Sequence, residues 1–174
     1  MNLKPVVVAA VALLALTVLS PTGAGAAGPS DITQLDCTFG VHLAFSPGIS
    51  PAVEAIRITS TAPGPLSCQG TWAGQAVTGL GTVVFEGDAV GSCLGSTIDA
   101  VLRLDHPLAG GGRMELTIPL RSGRLGVALY GTGADPAHPA SLWGTGSPDP
   151  GQDCRQVPIT GIAAAGRAVF GPWH

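Results

Sequence analysis

The stretch from Ile98 to Leu120, IDAVLRLDHPLAGGGRMELTIPL, carries the clearest structural signal in this sequence of 174 residues. On each side of a central segment rich in glycine and proline, large apolar residues occupy every second position. A period of two places the apolar side chains on one face of a β-strand and the polar side chains on the other. The stretch therefore predicts two neighbouring antiparallel strands, joined by a turn at 105–112.

The same alternation recurs over much of the chain. Further strand-like segments lie at 41–45, 56–59, 66–72, 75–86, 124–130 and 156–170. Glycine and proline, 26 and 15 residues respectively, punctuate these segments, and no window sustains the 3.6-residue period of a helix. We therefore expect a single all-β domain, an antiparallel β-barrel or β-sandwich of about eight to nine strands.

Residues 1–26 have the features of a secretory signal peptide. Lys4 supplies a positive start, residues 6–19 form an apolar run, and Ala24-Gly25-Ala26 is a small-residue cleavage site. The apolar run is shorter than the roughly 20 residues that a helix needs to cross a bilayer. We expect a secreted protein whose mature domain spans 27–174 and has no membrane association once the signal is removed.

The chain contains four cysteines, Cys37, Cys68, Cys93 and Cys154. An even number of cysteines in an exported chain predicts two structural disulfides. Their spacings are too long for the Cys-x2-4-Cys motifs of thiolate metal sites. The sequence leaves three pairings open. We favour Cys37 with Cys68 and Cys93 with Cys154, because the shorter first loop could link neighbouring strands.

The charge pattern excludes several partners. Eight Lys and Arg residues stand against eleven Asp and Glu residues, a formal net charge of −3, and Lys4 is the only lysine. Proteins that bind nucleic acids or anionic membranes rely on clustered positive charge, whereas these arginines are dispersed. We therefore expect no nucleic-acid partner, and no Schiff-base chemistry in a mature chain that lacks lysine.

Catalytic signals are weak. The chain has no Gly-x-Ser-x-Gly elbow and no His-Glu-x-x-His metal motif. The close acid–histidine pairs are Asp105-His106 and Asp135 with His138, and both lie beside proline in predicted turns, where Asp bonds to its own backbone. We assign no catalytic residue, no metal site and no cofactor, and we expect a non-enzymatic protein.

Two acidic residues, Asp99 and Glu115, are predicted on the outward face of neighbouring strands. Arg103 and Arg113 are available there as cross-strand partners. Surface ion pairs of this kind are common in antiparallel sheets. We therefore interpret these acids as surface charges and not as the paired carboxylates of a glycosidase.

The segment 131–153 contains four prolines and five glycines and predicts a long loop. Trp143 lies in its middle, with Asp135 and His138 in the same segment. Aromatic side chains in surface loops often anchor ligands. We take Trp143, His138 and Asp135 as candidate ligand-binding residues; the alternative is that Trp143 holds the loop against the domain.

A set of short motifs resembles a group of small secreted four-cysteine β proteins of actinobacteria. The motifs are Cys37 followed by HLAFSPG at 42–48, Cys68-Gln69-Gly70, VTGLGT at 77–82, Cys93, and Cys154 ahead of Pro158-Ile159-Thr160. The resemblance covers nearly all of the mature chain and implies export and an all-β fold. The group has no assigned activity, so the resemblance implies no catalytic residue.

Three functions fit these observations. The first is a secreted binding or structural module of the cell surface or medium, with an unknown extracellular ligand or protein as its partner. The second is a carrier that holds a small apolar ligand in a barrel cavity of a few hundred Å³. The third is a secreted protease inhibitor that presents the segment Ala62 to Ser67 as a loop.

Overall fold

The computed structural model describes residues 32–133 and 139–171. The expected signal peptide at 1–26 lies outside the described residues. The ten strands are β1 (Ile32–Ile49), β2 (Glu54–Ser60), β3 (Gly64–Trp72), β4 (Gln75–Ala76), β5 (Gly81–Gly91), β6 (Gly95–Pro107), β7 (Arg113–Leu125), β8 (Ala128–Gly133), β9 (Ala140–Pro148) and β10 (Ile159–Phe170). The expected all-β fold is confirmed, with one or two more strands than predicted.

All ten strands belong to one antiparallel sheet that curls into a partly closed ring. The strand order is β10-β9-β8-β7-β6-β5-β2-β1-β3-β4, with additional pairings of β10 with β1 and of β5 with β3. Strands β2 and β3 share one place in the ring, because β2 pairs with residues 43–46 of β1 and β3 pairs with residues 32–39. The architecture is that of a barrel and not of two stacked sheets.

Strands β6 and β7 follow the predicted alternation. They pair without interruption from Gly95 opposite Leu125 to Pro107 opposite Arg113. The apolar residues of both strands are buried inside the ring: Ile98, Ala100, Leu102, Leu104, Met114, Leu116, Ile118 and Leu120. Side chains of the other strands meet them there in one hydrophobic core.

The expected long loop at 131–153 is wrong. Strand β8 continues to Gly133, and β9 occupies Ala140–Pro148, where it pairs with both β8 and β10. The glycines that suggested a loop instead allow close strand packing: a Cβ on Gly144 would collide with the carbonyl oxygen of Ala165. Glycine in a strand often marks a close approach of backbones.

Strand β1 is also longer than the sequence suggested. A turn-rich connection is expected at 46–52, yet β1 extends to Ile49, which is buried and pairs with Ile159 of β10. The register shifts between Ala44 and Ile49. Pro47, which cannot donate a ladder hydrogen bond, lies within this irregularity.

Both favoured disulfides are confirmed. Cys37 and Cys68 occupy directly opposite positions on β1 and β3. Cys93 and Cys154 join the turn after β5 to the connection after β9. The first bridge holds a strand pair together, and the second fixes two connections at one end of the ring.

Four connections lie at that end, because neighbouring strands around the ring run in opposite directions and β2 and β3, which share one place, run in the same direction. They are 50–53, 92–94, 126–127 and 149–158, and we call them the four-loop end. Backbone hydrogen bonds link them to one another and to the strand ends: Cys93 N donates to Ser50 O, Gly126 N to Leu94 O, and Gly146 N to Val127 O. The opposite end carries the turns at 73–80 and 108–112, which meet at the bridge between Val77 and Leu108.

Two glycines test the packing at the point where β3 replaces β2 as the pairing partner of β1. A Cβ on buried Gly64 would collide with the carbonyl oxygen of Gly40, whereas a Cβ on Gly40 would make only an ordinary contact, 3.7 Å from Pro65 Cγ. We expect Gly64→Ala to lower the free energy of unfolding by about 1–3 kcal/mol, as overpacking does. Gly40→Ala is the matched control and should change it little. Equal losses in urea unfolding of the two variants would contradict this packing.

Candidate ligand-binding site

Large aliphatic side chains are exposed at the four-loop end. Leu94 is 81% exposed, and the others come from the remaining connections and from the last residue of β7. The full set is Val53, Leu94, Leu125, Val127 and Val157. Exposed apolar side chains that come together on a protein surface commonly mark an interaction site.

A groove of about 280 Å³ opens between these connections. Its wall includes the apolar residues Leu94 and Val127, and its polar groups come from Arg124, Asp153 and Arg155. The groove therefore combines an apolar rim with two cationic side chains and one carboxylate.

Arg124 is the most unusual group in this groove. It lies near the end of β7 and is only 7% exposed, because the alternation that buries Leu120 also turns this side chain inward. Its Nη1 donates to the carbonyl oxygen of Gly126 at 2.6 Å, and its Nη2 donates to the carbonyl oxygen of Ser92. Arg124 thus braces two connections of the four-loop end against each other.

The third nitrogen of the Arg124 guanidinium, Nε, has no partner. The Nε–H is buried and donates to no acceptor in the described part of the chain, and none of the ion pairs found there includes Arg124. Burial lowers the pKa of Arg124. A buried cation that faces only carbonyl groups is costly, and a nearby anion would offset that cost.

A second space lies deeper, inside the ring. This cavity of about 40 Å³ is lined almost entirely by apolar side chains, such as Phe45, Ile58 and Phe85. It is far below the few hundred Å³ that a carrier with an internal site requires. The interior of the ring is therefore filled mainly by side chains.

The cavity and the groove share part of their walls. Ile49, Arg124 and Ile162 line both spaces and separate one from the other. Ser122, two residues before Arg124 on the same face of β7, also lines the cavity, and its buried Oγ has no hydrogen-bond partner. Two residues with an unpartnered polar atom, Ser122 and Arg124, thus line the cavity, and Arg124 also lines the groove.

The connection at 149–158 forms one wall of the groove and is held by local bonds. Asp153 Oδ1 accepts hydrogen bonds from the backbone N–H groups of Arg155, Gln156 and Val157, at 2.8–3.0 Å. These bonds, led by that of Val157, hold the pKa of Asp153 below its usual range. The carboxylate is thus occupied by its own loop.

A histidine on the outer wall has a partner that the sequence did not indicate. His42 Nε2 lies 2.8 Å from Asp149 Oδ1, and His42 Nδ1 lies 3.3 Å from Thr61 Oγ1. The order of acid, imidazole and hydroxyl is that of a hydrolase triad. Here, however, the backbone N–H of Thr61 also bonds to the carbonyl of His42, and Asp149 N bonds to Gly161 O. These contacts fasten the start of the 149–158 connection to the wall.

Trp143 is exposed, but not in a loop as expected. It lies on the outer face of β9, directly opposite Tyr130 of β8 and Arg167 of β10. Trp143 is 44% exposed and Tyr130 is 55% exposed. The guanidinium of Arg167 lies 5.7 Å from the centre of the Trp143 ring and also pairs with Asp36. Tyr130 in turn covers Gly123 on β7, where a Cβ would collide with its ring.

The other sequence-based candidates are dispersed. Asp135 and His138 lie outside the described residues. Asp105 and His106 are neighbours on β6, so their side chains point to opposite faces: Asp105 pairs with Arg113 at the surface, and His106 is fully buried. These two residues therefore cannot act together.

The expected surface ion pairs exist with different partners. Arg103 bonds to Glu86 at 2.9 Å, and Arg57 bonds to Asp88 at 2.9 Å. Glu86 and Asp88 lie within β5 and not at a turn. Asp99 and Glu115 belong to none of the ion pairs seen in the described part of the chain.

The segment Ala62 to Ser67 does not form the exposed loop that an inhibitor would present. Gly64 begins β3, and the strand pairs here with both β1 and β5. Gly64 and Leu66 are buried. A protease could reach this segment only if it left the sheet.

Among residues 32–133 and 139–171, no three histidine, cysteine or acidic side chains come together as metal ligands. Within the same residues, we find no helix of the length and apolarity needed to span a membrane. No protein-family model, curated protein or solved structure matches the chain. The resemblance to secreted four-cysteine proteins of actinobacteria therefore stays a prediction.

Substitution of Asp153 tests whether its carboxylate holds the groove wall in place. Because its pKa is lower in the folded than in the unfolded protein, its stabilising effect is complete above about pH 4 and is lost as the pH falls through the folded pKa. We expect Asp153→Asn to speed amide hydrogen exchange at Arg155, Gln156 and Val157 at neutral pH. Asp88→Asn is the control, because Asp88 lies on the exposed wall. Unchanged exchange at these three amides would refute the role of Asp153.

Proposed function

We propose that the protein is a secreted, non-enzymatic binding module of the cell surface or medium, and that it binds an extracellular ligand at the four-loop end. One observation carries the proposal: exposed aliphatic side chains of two connections, Leu94 and Val127, line one groove whose other wall comes from a third connection, 149–158. Binding residues are commonly carried on loops that a rigid scaffold positions.

The scaffold supports this role. Strand pairing surrounds the core, and the Cys93–Cys154 disulfide and Arg124 brace the connections that carry the rim. A preformed site loses less conformational entropy when a ligand binds. The two disulfides, Cys37–Cys68 and Cys93–Cys154, indicate an oxidising environment. Such an environment supports the proposed export through the signal peptide at 1–26.

The acids and histidines that resembled catalytic groups support a non-enzymatic role. His42 is tied to Asp149 and Thr61 by contacts that fasten a connection. Asp105 and His106 lie on opposite faces of β6. Catalysis needs such groups to converge on one position where a substrate can sit, which Asp105 and His106 cannot do.

The outer face offers a second candidate site. Tyr130 and Trp143 are exposed side by side, and the hydrogen-bonding groups of Arg167 and Asp36 lie beside them. Aromatic rings next to polar groups are suited to stacking on flat ligands such as sugar rings. The binding module would then hold a carbohydrate on its wall.

Substitutions on the rim test the first site. We expect Leu94→Asp and Val127→Asp to weaken binding of Nile red, a neutral apolar dye, at least about fivefold, because each places a charge on the apolar rim. Leu80→Asp is the matched control: Leu80 is 74% exposed at the opposite end of the ring. Fluorescence titration measures the three affinities. If all three variants bind the dye equally, the four-loop end is not the binding surface.

Trp143→Ala tests the second site. We expect it to release the protein from insoluble polysaccharides that retain the unaltered chain, because stacking on an aromatic ring contributes about 1 kcal/mol or more. Val90→Ala, at an exposed position on β5, is the control. Co-sedimentation measures the bound fraction. If the polysaccharides retain the Trp143→Ala variant as well as the unaltered chain, or retain neither, the outer face is not a carbohydrate-binding site.

A further inference from the structure

We infer that the ligand of the four-loop end is a small single-chain amphiphile with an anionic head group, held at Arg124 with its chain against the apolar rim and interior. This inference rests on the proposed function and adds the chemical class of the ligand.

The head-group position follows from Arg124. Its guanidinium is buried, and its two bonded nitrogens face carbonyl groups of Ser92 and Gly126. These carbonyls orient the side chain but do not neutralise it. Arg124 lines both the groove and the cavity, and its buried Nε–H has no acceptor, so it is a donor left for an incoming acceptor. A charge-assisted hydrogen bond to an anion is about twice as strong as a neutral one.

Ser122 supplies a second group at the same position. It precedes Arg124 by two residues on β7, so both side chains point into the ring about 7 Å apart along the strand. The buried Oγ of Ser122 has no partner among the described residues. An oxygen-rich head group could accept hydrogen bonds from both the hydroxyl and the Nε–H.

The charges of the groove favour an anion over a cation. Arg124 and Arg155 both line it, whereas its single carboxylate, Asp153, already accepts three backbone N–H groups. The whole chain carries a formal net charge of −3, so this preference is local and does not reflect the overall charge. An amphipathic cation in the groove would be repelled by these two arginines.

The apolar part of the ligand has two surfaces to contact. Outside, Leu94 and Val127 form the rim of the groove. Inside, the cavity of about 40 Å³ shares Ile49 and Ile162 with the wall of the groove. A slender alkyl chain fits this geometry better than a fused ring system does, because neither space is wide.

Three eight-carbon probes that differ only in the head group test the inference: octanoate, 1-octanol and octylammonium, titrated by calorimetry at neutral pH. We expect octanoate to bind at least about tenfold more tightly than octylammonium and several-fold more tightly than octanol. Added salt should weaken the binding of octanoate and leave that of octanol nearly unchanged. Equal affinities for the three probes overturn the inference.

Two variants test where the head group binds. Ser122→Ala should weaken octanoate binding and leave octanol binding unchanged, with little effect on folding. Arg124→Gln should abolish the preference for octanoate, and urea unfolding of the same variant shows whether the fold is retained. In the unaltered protein, the Nε–H resonance of Arg124 should shift during the octanoate titration. A resonance that stays fixed while octanoate binds shows that Arg124 serves only as a brace, and overturns the inference.

Failure of the inference can be told apart from failure of the proposed function. If the rim variants weaken Nile red binding while octanoate and octanol bind equally, the four-loop end binds apolar ligands without selecting anions. In that case the proposed function stands and the inference is wrong. If the Leu94→Asp and Val127→Asp variants bind Nile red and octanoate as tightly as the Leu80→Asp control does, the proposed function and the inference are both wrong.

Discussion

The antiparallel pairing of β1 with β10 joins the first and the last described strands and turns an open sheet into a ring. This pairing covers two strand edges that would otherwise be free to associate with other chains. It also separates an inner face, where the core is buried, from an outer wall that carries the ion pairs. Because the strands alternate in direction around the ring, closure gathers four connections at one end. Both the groove and the position of Arg124 depend on this geometry.

Much of the fold could be predicted from the sequence, because a buried antiparallel strand shows its inner face as every second residue. Ile98 to Leu120 shows this on both sides of its central turn, and the Cys37–Cys68 disulfide joins strands that lie side by side. The prediction failed where glycine and proline serve strand packing instead of turns. Gly144 lies in β9 because the backbone of β10 leaves no room for a side chain, and a single sequence does not distinguish this use from a loop.

The candidate site was less accessible to sequence reasoning. Extending the alternation from Leu120 to Ser122 and Arg124 would have turned both side chains inward, but an arginine at the end of a strand is normally assumed to face water. The exposed Leu94 and Val127 are isolated apolar residues in the sequence and form one rim only because the pairing of β6 with β7 brings their connections side by side. His42 and Asp149 are 107 positions apart, and their contact likewise depends on the pairing of β1 with β10.

We propose that ring closure creates one binding end, with an apolar rim outside and Arg124 beneath it. Mapping the methyl resonances of the protein during an octanoate titration tests this most directly, because one spectrum reports on both ends, the wall and the core. We expect the methyl resonances of Leu94, Val127, Ile49 and Ile162 to shift and those of Leu80 to stay unchanged. Shifts confined to Leu80 or to the surroundings of Trp143, or a spectrum that does not respond, would contradict it.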